Sequence, residues 1–231
     1  MTTFVGDRRR LSRILLAAIG ATALCMAAYA YVRLWHPTRA HFPIQGLDVS
    51  HHQGTIDWQR VRKAGADFAY IKASEDGDHR DSRFTQNWQG ARAAGLRTGA
   101  YHFFTLCRSG AEQAANFAAT VPAASDTLPP AIDLEFGGNC AARPSRAAFF
   151  RELAIALHGI EAHSGKRAIL YVTDEFDAAY RVSAAIPRPL WLRSLFAPPG
   201  YGARDWTIWQ ASNIHHVDGI EGWVDWNVTR Q

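Results

Sequence analysis

Residues 98–135 read TGAYHFFTLCRSGAEQAANFAATVPAASDTLPPAIDLE and contain one complete strand–helix–strand unit. An apolar run at 98–103 reads as a strand. Ser109-Gly110-Ala111-Glu112 follows as a capping box, in which the Ser and Glu side chains each satisfy a backbone N–H of the first helical turn, and it opens a helix to about Ala119. A second short apolar run at 131–134 is the next strand.

The same alternation extends in both directions. Strands are expected at 45–49, 68–73, 98–103, 131–134, 168–172, 190–192, 207–210 and 223–228. Helical patterns occupy 57–64, with Asp57 as cap, and 84–94, capped by Asp81 or Ser82. A long helix at 145–163 ends near Gly165, and a weaker one covers 175–183. No long helical pattern separates the last three strands.

Strand–helix alternation predicts a parallel α/β sheet. Eight strands in about 185 residues are too few residues for a full eightfold β/α barrel, which takes ~250. A TIM-like barrel with about five helices and eight strands, the last three without intervening helices, fits the length. A doubly wound open sheet is the alternative, but it calls for a glycine-rich phosphate loop after the first strand. Asp48-Val49-Ser50-His51-His52 stands there instead.

The 231-residue chain is 48% hydrophobic and 20% charged, which excludes disordered and collagen-like classes. Its net charge of +4 suggests an anionic partner at first sight. However, Arg8, Arg9, Arg10, Arg13, Arg33 and Arg39 all precede residue 45, where Asp7 is the single acid. From residue 45 onward 19 basic residues face 20 acidic ones. A nucleic-acid-binding domain would carry a basic patch of its own, so no nucleic-acid partner is expected.

The basic cluster introduces a membrane-targeting segment. Residues 14–32, ILLAAIGATALCMAAYAYV, carry no charge. At 1.5 Å per residue they nearly cross the ~30 Å hydrocarbon core. Arg residues at 8–13 and Tyr29, Tyr31 and Trp35 at the far side fit a helix with its N-terminus in the cytoplasm. We read residues 1–13 as a basic cytoplasmic region, 14–35 as a signal-anchor, 36–44 as a linker and 45–231 as the exported domain. A cleaved signal peptide remains the alternative, with Ala28-Tyr29-Ala30 as its site. Both readings put the domain outside the cytoplasm, anchored in one case and secreted in the other.

Within that domain the acids carry the chemical information. Asp48 ends the first strand, Asp133 and Glu135 end the fourth, and Asp225 lies in the eighth. Barrel active sites form at the C-terminal strand ends, and the first and last strands become neighbours on closure. Asp48 should therefore approach Asp225. Asp133 and Glu135 are spaced i, i+2 and share one face. Carboxyls crowded in a partly dry pocket do not all ionise, and an acid that keeps its proton beside an ionised one is the equipment for glycosidic cleavage. Tyr101, Tyr171, Trp191 and Trp209 fall in strand segments and offer the flat apolar surfaces that sugars stack on.

Cys107 and Cys140 follow adjacent strands on the same barrel end, and an oxidising compartment permits a disulfide between them. The ten His residues show no metal-ligand spacing, so no metal site is expected, and His102 reads as a packed, hydrogen-bonded side chain.

In order along the chain stand Gly46-Leu47-Asp48-Val49-Ser50, Gln53-Gly54, Ile56-Asp57-Trp58, Tyr70-Ile71-Lys72-Ala73-Ser74-Glu75 and Gly99-Ala100-Tyr101-His102-Phe103-Phe104. Pro130-Ala131-Ile132-Asp133-Leu134-Glu135, Trp209-Gln210 and Val224-Asp225-Trp226-Asn227 complete the series. This set resembles the glycoside hydrolase family 25 muramidases, a class of lysozyme, over residues 45–231. The resemblance implies a five-helix, eight-strand barrel that hydrolyses the β-1,4 bond after N-acetylmuramic acid in peptidoglycan.

By motif, Glu135 is then the proton donor, Asp133 orients or stabilises the reacting sugar, and Asp48 and Asp225 complete the catalytic acids. Tyr101 and Trp209 would line the cleft, with Tyr171, Trp191, Gln210 and Asn227 as further substrate contacts. No metal or organic cofactor is implied, and the partners are peptidoglycan strands, the membrane through the N-terminal helix, and no second copy. The chain departs from the family at Trp191-Leu192-Arg193-Ser194-Leu195, where Trp-Leu-Ala-Arg-Tyr is usual, and at Tyr171-Val172-Thr173-Asp174. A silent glycan-binding module on the same fold would have lost the acids. A chitinase-like barrel would lack the motifs around Asp48 and Asp225.

Overall fold

A computed structural model describes residues 3–230. Met1, Thr2 and Gln231 lie outside the described residues, as do the side chains of Arg8 and Arg9 from the basic cluster. The chain divides into two compact units, Met1–Trp35 and His36–Gln231.

The first unit is a single helix, α1 (Thr3–Leu34). Repeated Ala and Leu favour it, and it stops short of Pro37, which disfavours helix in the residue before it. Ser12–Leu34 is long and apolar enough to cross a membrane, and it exposes Ile14, Leu15, Leu16 and Leu24. Thr22 returns its hydroxyl to the Ala18 carbonyl, so that polar group is satisfied within the helix.

The second unit is built on one sheet. Its strands are β1 (Gln45–Val49), β2 (Phe68–Glu75), β3 (His79–Arg80), β4 (Arg97–Phe103), β5 (Ala131–Leu134), β6 (Ile169–Val172), β7 (Leu190–Arg193), β8 (Ile208–His215) and β9 (Val224–Thr229). The order is β1-β9-β8-β7-β6-β5-β4-β2-β3, and a further β1–β2 pairing closes the eight long strands into a barrel. The open-sheet alternative is thereby excluded. β3 is a two-residue antiparallel appendage on β2.

The helices are α2 (Trp58–Lys63), α3 (Phe84–Ala93), α4 (Gly110–Thr120), α5 (Arg146–Ser164), α6 (Asp174–Tyr180) and α7 (Val182–Ala185). With α1 they make seven α-helices among the described residues. The expected helix at 175–183 is two, because Arg181 adopts a left-handed φ of 54° between them. The capping box at Ser109 and Glu112, the Asp57 cap and the left-handed Gly165 C-cap are all present. α3, by contrast, has Arg83 at its N-cap and no side-chain cap. Asp81 divides its carboxylate: Oδ1 accepts the Arg83 N–H (2.9 Å) just ahead of the helix, and Oδ2 accepts from the backbone and ring of His51.

Alternation along the strands sorts the core into two. Phe68, Tyr70, Ala131, Ile169, Tyr171, Trp191 and Ile208 fill the barrel interior. Their strand neighbours, such as Ala69, Ile71, Ile132, Leu134 and Leu170, pack outward against Trp88, Phe117, Phe149 and Leu153 of the helices. Residues 36–44, expected as a linker, belong to this compact unit. Gln45 Nε2 donates to the carbonyls of Pro37 (2.8 Å) and Phe42 (2.9 Å), and the Phe42 ring lies 5.6 Å from Trp209. The apolar Phe42 gains cover there that a free linker would not give it.

Two of the strand connections differ from the rest. β9 runs antiparallel to both β1 and β8, after a short turn containing Gly219. Gly219 has φ 99°, and a Cβ there would fall 2.5 Å from the Asp57 carbonyl oxygen, so only glycine fits. The loops after β4 and β5 are joined by a Cys107–Cys140 disulfide with a Cα separation of 6.3 Å.

The disulfide spans 33 residues, so replacing both cysteines with serine should lower unfolding free energy by about 2–4 kcal/mol. Chemical denaturation of oxidised parent and double variant measures this. Equal midpoints would mean the two loops are held without the bond.

Candidate active site

The mouth of the barrel gathers the ends of seven strands. Asp48 is on β1, Tyr101 on β4, and Asp133 with Glu135 at the end of β5. Tyr171 lies on β6, Trp191 on β7, Gln210 on β8 and Asp225 on β9, and all eight side chains line one cleft. The reversal of β9 matters here. Asp225 sits at its beginning, which is at the same barrel end as the C-termini of the parallel strands, and it pairs in register with Asp48.

Packing fixes the floor. The Trp191 indole lies 5.0 Å from the Tyr70 ring and 5.3 Å, edge-on, from Tyr171. Its Nε1 donates to Asn227 Oδ1 (2.8 Å), and Asn227 Nδ2 donates to Asp48 Oδ2 (2.7 Å). Tyr171 donates its hydroxyl to Gln210 (2.7 Å). On the rim, Asn139 Nδ2 donates to the Glu135 carbonyl (2.9 Å) while its Oδ1 takes the Leu106 N–H (3.0 Å). The residue beside Cys140 thus ties both disulfide-linked loops to the backbone of Glu135.

The cleft holds four carboxyls away from water, and all four are shifted toward the protonated form. Burial is the main cause for Asp48, reinforced by Asp225, and for Asp133, reinforced by Glu135. Burial lifts Asp225 to about 7, against a lowering hydrogen bond with Asp48. The two share protons as a pair. Burial raises Glu135 as well, opposed by the nearby cations of Arg193 and Lys72. Asp133 Oδ1 is buried with no hydrogen-bond partner among the described residues. Tyr101 and Tyr171 are pushed up by burial and the surrounding carboxylates, so both stay neutral donors.

This arrangement offers acids that keep a proton near neutral pH, an unengaged carboxyl oxygen, and aromatic walls. No cluster of His, Cys, Asp and Glu among the described residues has a metal-binding arrangement.

Residues 47–220 match the family model of "Glycosyl hydrolases family 25". The chain belongs to this family.

It is accordingly a glycoside hydrolase. It is 33% identical to the YegX protein of Escherichia coli K12 over 221 residues, 90% of this chain and 80% of that one. It is 35% identical to Lysozyme M1 of Streptomyces globisporus over 198 residues, 80% and 67% of the two chains. A solved family 25 glycosyl hydrolase from Bacillus anthracis superposes with a TM-score of 0.78 at 36% identity, covering 86% of this chain and 93% of that one.

Two expected substrate contacts are placed differently in this family 25 barrel. Trp209 occupies the position between the inward-facing Ile208 and Gln210. It therefore faces outward, against Phe42 and Trp206. Asn227 is fully buried beneath the cleft, where it orients Asp48 and Trp191. Conversely, Lys72 and Arg193 act on the carboxyls but were not among the expected site residues. Both are legible by alternation: Lys72 follows Phe68 and Tyr70 at i+2 steps, and Arg193 follows Trp191. His102, as expected, is structural. It is buried between Ser74 and Gln113, and burial lowers it to about 4.

Asp225 gives a pH test. Its folded value of about 7 lies above the ~3.9 of an unfolded Asp. Between these values the folded state holds the extra proton, so this group's contribution to stability falls as pH rises from ~4 to ~7 and is flat beyond. Asp225→Asn removes that slope. The variant should be more stable than the parent at pH 8, by on the order of 2 kcal/mol, with the gap closing toward pH 4. Thermal melts across that range decide it, and parallel curves for the two proteins would contradict it.

Proposed function

We propose that this chain is an N-acetylmuramidase of the lysozyme type, acting on the β-1,4 bonds of peptidoglycan outside the cytoplasm. The observation that carries the reading is the Asp133/Glu135 pair at the end of β5, shifted toward protonation and faced by Asp48 and Asp225. The likeness to Lysozyme M1 supports the substrate class.

In this reading Glu135 protonates the glycosidic oxygen as the C1–O bond breaks. The acetamido oxygen of the same sugar closes on C1 from the opposite face, and Asp133 accepts the acetamido N–H through its unengaged Oδ1. Water then adds at C1 as the bond from C1 to the acetamido oxygen breaks, with Glu135 now taking the water's proton. Asp48 and Asp225, sharing a proton, place carboxyl oxygens near the cationic sugar, and Trp191 and Tyr171 supply the flat surface beneath it. A substrate analogue without the acetamido carbonyl oxygen should be cleaved poorly; cleavage at full rate would leave attack by water or by an Asp.

The full-length chain and its Glu135→Gln variant, in detergent with purified peptidoglycan, test the assignment. The parent should release fragments with muramic acid reducing ends, and the variant should lose activity by at least ~100-fold. Glucosamine reducing ends, or an active variant, would overturn it.

Ser12–Leu34 would hold the domain at the membrane. Intact chain should sediment with membranes at its full mass, and deletion of residues 1–35 should release it. A shortened, soluble product from the intact gene would instead mark a cleaved signal.

A further inference from the structure

Arg193 reaches the Glu135 carboxyl from a position where the sequence departs from the family pattern. It stands at the end of β7, two residues beyond Trp191 and on the same face. Its backbone is held in place: the N–H donates to the Tyr201 hydroxyl (3.0 Å), which itself donates to the Val172 carbonyl (2.7 Å) on the neighbouring strand. The guanidinium then divides between two carboxylates. Nη1 lies 3.5 Å from Glu135 Oε2, and Nη2 lies 3.2 Å from Glu175 Oε1 in the first turn of α6. Glu175 is half exposed, whereas Glu135 is the more enclosed of the two.

This geometry matters because the two contacts oppose one another. A cation beside a proton donor favours the ionised donor, which is the inactive form. An anion on the far side of that cation draws it away and restores part of the balance. The other charged and titratable groups around Glu135 are Asp133 on β5, Lys72 on β2, Tyr171 on β6 and Asp225 on β9. Of the cations, Lys72 is engaged with Glu75 at 2.6 Å. Arg193 is the one that touches Glu135 directly.

We propose that Arg193 and Glu175 form a charge pair that sets the upper pH limit of catalysis: Arg193 favours the ionised form of Glu135, and Glu175 moderates it by sharing the guanidinium. Arg193 is a positioning residue in this scheme and Glu175 acts through it. The inference rests on Glu135 being the proton donor.

The test is the pH profile of kcat/KM on purified peptidoglycan, measured with the full-length chain, whose high-pH limb reports loss of the donor's proton in the free enzyme. Arg193→Met should move that limb to higher pH, raising kcat/KM by at least about threefold relative to the parent's own decline one unit above the parent midpoint. Arg193→Lys keeps the charge and should stay near the parent. Glu175→Gln frees the guanidinium for Glu135 and should move the limb the other way. The double variant should sit with Arg193→Met, because Glu175 has then lost its intermediary.

A fall in amplitude with an unmoved midpoint in Arg193→Met would reduce Arg193 to a packing role and overturn the proposal, as would an upward shift in Glu175→Gln. An active Glu135→Gln variant would remove the underlying assignment as well. An inactive one alongside an unmoved limb overturns only the charge pair.

Discussion

β9 runs antiparallel between β1 and β8 and is hydrogen-bonded to both. Everything at the barrel mouth depends on that reversal. A parallel last strand would have needed another crossover, and its early residues would lie at the opposite end of the barrel. Because β9 comes straight back from β8, Asp225 lies at the mouth, in register with Asp48. Two residues on, Asn227 lies one layer deeper, bonded to Asp48 and Trp191. The turn that makes this possible uses a glycine at φ 99° pressed against the Asp57 carbonyl.

The cleft so formed is costly to the fold and useful to the chemistry for the same reason. Removing four carboxyls from water disfavours their charged forms, so folding at neutral pH works against their ionisation. That same shift keeps a proton available for donation. The surrounding structure compensates with fixed supports rather than with many neutralising charges. Asn227 holds Asp48, Asn139 holds the Glu135 backbone, and the Cys107–Cys140 bond joins the two loops between which Asn139 reaches. Lys72 and Arg193 supply positive charge, each shared with a glutamate outside the acid cluster.

Much of this was legible in the chain. Short apolar runs, the Ser109–Glu112 capping box and the Gly165 terminator mark the β/α units because they report local needs of burial and backbone. The i, i+2 spacing of Asp133 and Glu135 puts both in the cleft for the same geometric reason. Errors arose where a partner distant in sequence decides. Residues 36–44 look like a linker until Gln45 and Trp209 receive them. Asp81 looks like the α3 cap, but it reaches only the Arg83 N–H just ahead of the helix and gives its other oxygen to His51. Trp209 looks like a sugar platform although it alternates with Gln210 and so faces outward.

The sequence by itself thus determined the fold class, the apolar N-terminal helix, the family and the identity of the four acids. These follow from periodicity, charge placement and ordered motifs, all read over short windows. Only the tertiary structure decided the direction of β9, the supporting role of Asn227 and the division of Arg193 between Glu135 and Glu175. Each depends on groups brought together by barrel closure across 18 to 179 residues of chain, and no local pattern encodes such distances.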